Sequence, residues 1–413
     1  MISLKDIEKA WEDVQPIIRP TPLRHIHSLD RVAGRHLLLK MENEQRTGSF
    51  KIRGAYHKIL HLSPEEKARG VVAASAGNHA QGVALAAREL GVKATIVMPL
   101  LASIPKVMAT RDYGAEAILH GETYDEAYQK ALELQREHGY TFVHAFDDPS
   151  IMAGQGTVGL EILRDAPEVE VVVVPIGGGG LISGIATAIK EKKPTVKVIG
   201  VQAKGASAIY RSLKEGRPVR LDHVRTIADG LAIKKPSSTT LDIIRRYVDD
   251  VVLVDEEEIA RAMILLAERG KAVVEGAGAA ALAAVLAGEV PPAASTAVVV
   301  SGGNVDLIQM ARIIDHGLAQ EGRYLPLTTV LPDRPGALKD FLSHVAAQGA
   351  NVIGVEHRRL QAGLALGEAV VHLVLETRDR SHAEEVLRCL RSAGYAVKEE
   401  GLVLEGFGRG RGE

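Results

Sequence analysis

Lys51 stands in the stretch RTGSFKIRGA (residues 46–55) between Phe50 and Ile52, with a Gly-Ser pair before it and Gly54 soon after. A lysine held among apolar neighbours loses hydration, which disfavours its ammonium form and makes the amine a usable nucleophile or base. The plain alternative is a surface lysine reaching solvent from the first turn of a helix. Three further segments bear on the choice. PIGGGGLISG (175–184) follows the most apolar run of the chain and opens a helical pattern, so several backbone N–H groups converge beside a positive helix end, a geometry that binds phosphate. Four successive glycines cost more chain entropy than a tight turn requires. SAGNHAQG (75–82) leaves amides exposed at another helix start, suited to a carboxylate, with side-chain hydrogen bonds from Asn78 and His79; equally, Ser75 or Asn78 reads as an ordinary N-cap. SGGNVD (301–306) puts the hydroxyl of Ser301 at the carboxyl end of a strand, where open α/β sheets bind ligands, although a helix cap accounts for it as well.

Two common nucleotide sites fail on spacing. In the glycine-rich turn, Leu181 stands two residues after Gly179 and Ser183 three after Gly180, which breaks G-x-G-x-x-G, and the next strand ends in Gln202 rather than an acid. No Gly-Lys-Ser/Thr follows either. A single phosphate on a smaller cofactor fits better.

The elements that must position these residues are α/β. From about residue 70 short apolar runs alternate with helical patterns, as in βαβ units around a mostly parallel sheet. Strands are read at 71–74, 94–98, 116–120, 141–145, 169–175, 196–202, 250–254 and 296–301. Residues 1–322 thus form a doubly wound α/β domain in two lobes, the smaller inserted at about 50–150. After residue 322 the pattern becomes strand 324–332, helix 335–349, strands 350–360 and 366–377, helix 381–394 and strand 395–403, a ferredoxin-like βαββαβ unit over 323–404. Pro335 is expected at the first helical position and Gly349 just past the last turn. The glycine-rich 405–413 reads as a disordered tail.

The chain has 413 residues, more than one hydrophobic core usually serves, with 46% hydrophobic and 25% charged residues. A formal net charge of −2 and the lack of any basic stripe argue against a nucleic-acid partner. The N-terminus lacks the apolar core of a secretion signal and no run of eighteen apolar residues follows, so no membrane partner is expected. Cys389 is the sole cysteine, which fits a reducing, cytoplasmic setting. DEEE (255–258) reads as an N-cap with an acidic first turn, and His144 as a satisfied core histidine.

Taken together, ENEQRTGSFKIRGA, SAGNHAQGVA, GGGGL and SGGN resemble, in type and order, pyridoxal-5′-phosphate enzymes of the tryptophan synthase β-subunit fold type (fold type II). The closest resemblance is to the threonine (serine) dehydratases, over most of residues 1–322. It implies that Lys51 holds pyridoxal phosphate as a Schiff base with Phe50 near the ring. It further implies that Asn78 meets the ring hydroxyl, that Gly177, Gly178, Gly179, Gly180 and the amide of Leu181 cradle the phosphate, and that Ser301 faces the ring nitrogen. The segment Ser75, Ala76, Gly77, Asn78 and His79 holds the substrate carboxylate. The implied chemistry is elimination: Lys51, displaced by the substrate amine, removes the Cα proton, the phosphate helps protonate the departing β-hydroxyl, and L-threonine yields 2-oxobutanoate and ammonia, as L-serine yields pyruvate. Racemising relatives carry a second serine where Ala76 stands, and a methyl group donates no proton. Some members hold a mono- or divalent cation; TIADGLA (226–232) is a candidate contributor, equally a plain turn, and spacing assigns no ligands.

The C-terminal unit resembles an ACT domain, with DRPGAL (333–338) in its strand-to-helix turn and Gly336 and Asn351 where effector contacts fall. That implies feedback by isoleucine or valine, or a purely structural pairing role, in a homo-oligomer of two or four chains. A threonine dehydratase of isoleucine biosynthesis or threonine catabolism leads these readings. A serine-preferring dehydratase follows, then a β-replacing synthase, and, from another class, a non-catalytic amino-acid sensor.

Overall fold

Strands covered by helices on both faces have no polar side, and the uninterrupted apolar runs of this chain become such strands. The structure, a computed structural model, describes residues 2–360 and 363–400. Its strands are β1 (Leu23–His25), β2 (Leu37–Met41), β3 (Val71–Ala74), β4 (Ala94–Met98), β5 (Glu116–Leu119), β6 (Thr141–Phe142), β7 (Val171–Pro175), β8 (Lys197–Ala203), β9 (Asp250–Val254), β10 (Thr296–Val300), β11 (Tyr324–Pro332), β12 (Asn351–Arg358), β13 (Glu368–Glu376) and β14 (Val397–Glu399). The expected tail at 405–413 and residues 401–404 of the expected C-terminal domain lie outside the described residues.

The chain divides into two compact units, Met1–Asp306 and Leu307–Glu413. In the first, a six-stranded sheet of order β1-β2-β10-β7-β8-β9 is parallel except for β1, so the sheet is mixed. A four-stranded sheet, β5-β4-β3-β6, is parallel throughout, and its strands fall within the stretch of about 50–150 read as an inserted lobe. Each sheet has its own core. Val172, Val174, Val198 and Val299 pack with Ile182, Ile185 and Ile189 in the large lobe, and Val71, Ala73, Ile96 and Met98 with Val83, Ala84 and Ala87 in the small one. The register Thr296 opposite Val171 sends Ser301 and the turn after Pro175 out at the same end of adjacent strands, where α/β sheets take ligands.

β1 and β2 are additions to the sequence reading. β2 carries Lys40 in the run LLLKM, and a lysine argues against a central strand; here Lys40 is wholly buried and paired with Glu161, which removes the objection.

The second unit is an antiparallel sheet of order β12-β13-β11-β14, the order of a βαββαβ ferredoxin-like fold. Its core joins Leu325, Leu327, Val371 and Leu373 to Phe341 and Val345 of the helix Ala337–Ala347 and to Val386 and Leu390 of the helix Arg380–Ser392. The helix Leu307–Gln320 groups with this unit, which places the division sixteen residues before the 322/323 boundary read from the sequence. Pro335 does not open its helix. Gly336 is the N-cap at φ 91°, a left-handed conformation that no α-helical residue adopts, so the helix starts at Ala337. Gly349, at φ 75°, follows the helix end as expected. No helix among the described residues is long and apolar enough to cross a membrane.

Candidate active site

Lys51 is the first residue of the helix Lys51–Leu60. The chain reaches it through Gly48, whose φ of 68° turns the backbone and whose missing side chain leaves room for the Asn304 amide. The turn is then stitched to the end of β10: Ser49 bridges Gly302, the Phe50 N–H donates to the Ser301 carbonyl at 3.3 Å, and the Gly303 N–H donates to the Gly48 carbonyl at 2.8 Å. Two motifs about 250 residues apart in the chain are thereby one local structure.

The Lys51 Nζ donates to the Ala145 carbonyl at 2.8 Å and lies 5.1 Å from the centroid of the Phe50 ring. Burial lowers its pKa from 10.5 to about 8, against the pull of Glu275, which favours the charged form. At neutral pH this leaves a useful fraction of free amine. Lys51 is half-buried rather than freely solvated, which supports the nucleophile reading.

Ala145 leads into Phe146, and Phe146 lies directly against the glycine turn. A methyl carbon on Gly178 would fall 2.2 Å from its ring and one on Gly180 2.9 Å from its backbone. Gly179 is the N-cap of the helix Gly180–Lys192 at φ 92°, and no side chain caps that helix. Its first amides, including that of Leu181, are therefore left to another acceptor, beside the positive end of the helix dipole. This donor set suits a phosphate ester.

The helix Asn78–Glu89 also starts without a side-chain cap, its N-cap being Gly77, so the N-cap reading of Ser75 and Asn78 does not hold. Ser75 Oγ instead accepts the Gly77 N–H at 3.2 Å, shaping the turn around Ala76. The Asn78 amide donates to Glu275 Oε1 at 2.5 Å, and its carbonyl accepts from Asn304 Nδ2 at 2.8 Å; Asn304 also donates to the Thr47 carbonyl at 2.7 Å. Asn78 is thus fixed in orientation from both sides. Burial raises the pKa of Glu275, with Lys106 the strongest opposing influence.

His79 departs from the expectation that its side chain meets a carboxylate. Its ring is buried, Nε2 lies 2.8 Å from the Val143 carbonyl, Nδ1 has no partner, and burial lowers its pKa to about 3. The ring is neutral and is held by the Val143 carbonyl. Ser301 is buried, and its hydroxyl donates to the Ala277 carbonyl at 3.3 Å. His144 is neutral as well, its Nδ1 accepting the N–H groups of Phe146 and Asp147.

Sequence reasoning missed Glu275, Asn304 as an orienting group, and the Ala145–Phe146 pair. Glu275 precedes the helix Gly276–Leu286 and reads as an ordinary acidic helix start; Asn304 was visible in SGGN, without a role. In TIADGLA, Asp229 faces Lys106 at 3.5 Å, and the Gly230 carbonyl lies 2.5 Å from where a Gly177 methyl would stand. The residues fit a phosphorylated cofactor tethered by an amine: a desolvated lysine, an uncapped glycine-rich helix start, an amide fixed in place and a buried hydroxyl.

A family profile described as pyridoxal-phosphate dependent enzyme matches residues 14–302. A Thermotoga maritima protein named L-threonine ammonia-lyase is 51% identical over 398 residues, spanning 96% of this chain and 99% of that one. Of solved structures, a threonine deaminase from T.th. is 45% identical with a TM-score of 0.70, covering 74% of this chain and 99% of that one. Maize serine racemase is 35% identical with a TM-score of 0.73, covering 78% and 99%.

Proposed function

The chain belongs to the family of pyridoxal-phosphate dependent enzymes, and from that premise we propose that it deaminates L-threonine to 2-oxobutanoate and ammonia, with L-serine as a second substrate. The observation that carries the reading is the desolvated amine of Lys51, joined through Ala145 and Phe146 to one uncapped helix start and through the Ser301 strand end to Asn78 at another. Similarity to the Thermotoga protein supports threonine as the substrate.

Bound at Lys51, the cofactor supplies an electron sink for charge developing at the substrate Cα. The chain's own residues do the rest. The amides of Gly177 to Leu181 would hold the cofactor's phosphate, and Asn78 and Ser301 would hold its ring. The Ser301 hydroxyl, unlike a carboxylate, would not favour a proton on the ring, and this would favour loss of the β-hydroxyl. The backbone of Ser75 to His79 holds the substrate carboxylate, aided by the helix dipole. With its amine free, Lys51 would take the Cα proton. Ala76 presents a methyl group on the opposite face, which donates no proton, so racemisation is not part of this reading despite the likeness to a racemase.

The second unit we read as an ACT-type regulatory domain in a cytoplasmic homo-oligomer, binding a branched amino acid such as isoleucine or valine near Gly336 and Asn351. Its βαββαβ order and its inclusion in the match to the Thermotoga protein support this. Whether the product serves isoleucine synthesis or threonine breakdown follows from which effector acts.

The test is to supply purified, cofactor-loaded protein with L-threonine and L-serine separately and to measure 2-oxo acid and ammonia. Products from threonine are expected; products from serine alone point to the serine-preferring reading, and none from either overturns both. Lys51→Ala is expected to remove both the visible absorbance of the bound cofactor and turnover.

A further inference from the structure

We infer that Asp13, His57 and His61 form a binding site for a divalent transition ion of the zinc type, joining the N-terminal helix Leu4–Val14 to the helix that begins with Lys51. His57 and His61 stand four residues apart, on one face of the helix Lys51–Leu60 and its C-cap. Asp13 comes from the helix Leu4–Val14. A single oxygen of Asp13, Oδ2, lies 2.9 Å from His57 Nδ1 and 2.7 Å from His61 Nε2. The ligating atoms of all three residues lie within 4.8 Å of one another. Nitrogen and oxygen ligands about 2.1 Å from an ion stand roughly 3.0–3.4 Å apart, close to the separations of Asp13 Oδ2 from the two ring nitrogens.

The surroundings supply what such an ion lacks. A cavity of about 270 Å³ opens on the two histidines and is lined also by Asp6, Lys9 and Ser150. It has room for water in the remaining coordination positions. Asp6 adds negative charge to that of Asp13; Lys9 opposes the ion, and the acids outnumber it. Two imidazoles and one carboxylate select zinc, cobalt or nickel over the hard oxygen-seeking calcium and magnesium. His57 lies six residues beyond Lys51, roughly 9 Å along the helix, so this is no part of the cofactor site.

The experiment uses untagged holoenzyme treated with a chelator and then titrated with Co²⁺, read by the visible ligand-field absorbance to the red of the cofactor band and by thermal unfolding. One saturable Co²⁺ per chain, displaced by Zn²⁺ and accompanied by a rise in Tm, is expected. His61→Ala and Asp13→Asn, each checked for folding by retention of the cofactor band, are expected to weaken binding at least about tenfold. His25→Ala is the control, because His25, His27 and Asp30 form a second, more exposed group of similar make-up. The inference is overturned if no saturable band appears, if the band survives in both His61→Ala and Asp13→Asn, or if His25→Ala abolishes it.

Discussion

Replacing Gly178 by alanine tests whether the glycine turn and the lysine act as one assembly. The added methyl carbon would fall 2.2, 2.3 and 2.5 Å from Cδ1, Cγ and Cε1 of Phe146. Carbon atoms settle no closer than about 3.5 Å, so ring and turn must part by roughly 1.3 Å. Phe146 resists moving: its ring packs edge-on against His144 at 4.7 Å, its N–H is bound to His144 Nδ1, and the preceding carbonyl holds the Lys51 amine. The turn itself must therefore shift, or the strain passes to the lysine. Overpacking of this kind costs about 1–3 kcal/mol, and a displacement of about 1 Å in a positioning group costs about a hundredfold. Those figures agree, since a hundredfold is about 2.7 kcal/mol. Titrating the apoenzyme with pyridoxal phosphate, followed by absorbance, should show affinity reduced by about that factor. Gly77→Ala is the matched control at the other helix start, where the nearest atom to the new methyl is Lys106 Cδ at 4.0 Å, and it should retain the cofactor. Parental cofactor affinity in Gly178→Ala, or an equal loss in Gly77→Ala, would refute the reasoning.

Arg53→Met should destabilise the first unit strongly. Arg53 is buried and donates to Glu42 at 2.7 and 2.8 Å and to Glu161 at 2.7 and 3.0 Å, so its loss leaves Lys40 alone among two buried carboxylates. A cost of about 3–5 kcal/mol over a unit of this size lowers Tm by roughly 5–8 °C; calorimetry showing a fall under about 2 °C would contradict it. His79 should make the fold acid-sensitive. Its folded pKa of about 3 lies below the ordinary 6.5, so the unfolded chain takes up the proton first; the stability this confers is complete above about pH 6.5 and drains as pH falls towards 3. Burial of Glu275 acts in the opposite sense, so the comparison is between proteins: Tm against pH should fall less steeply below about pH 6.5 in His79→Gln than in the parent, and parallel curves would count against a neutral buried ring.

How much of the fold could be read from the chain depended on whether burial was expressed as apolarity. Val171 to Val174 are buried to a residue, and such a run has few alternatives to a central parallel strand. β2 is buried at all but Leu38 yet contains Lys40, whose buried partner Glu161 is 121 residues away. Charge compensation over that distance leaves no local mark, so a central strand passes for a surface one. The same holds for Arg53, two residues after Lys51, which reads as a second surface cation and is a wholly buried ionic centre. Pro335 fails for a different reason: a proline followed by glycine suits a turn as well as a helix start, and the left-handed Gly336 decides it.

The candidate site divides along the same line, with a consequence for what its residues do. Backbone-driven parts were legible, because glycines and small residues before a helix are needed locally, whatever they face. Side-chain direction was not. Asn78 and His79 are neighbours in one motif and were given the same kind of role, yet a helix turns adjacent side chains about 100° apart, so both cannot enter one cleft. Asn78 points to Glu275 and Asn304, while His79 points back to Val143 beneath the sheet of the small lobe. The ring of His79 thus anchors the helix start to the end of β6. His79 is on this geometry a positioning residue: it holds the uncapped turn at which a carboxylate would bind.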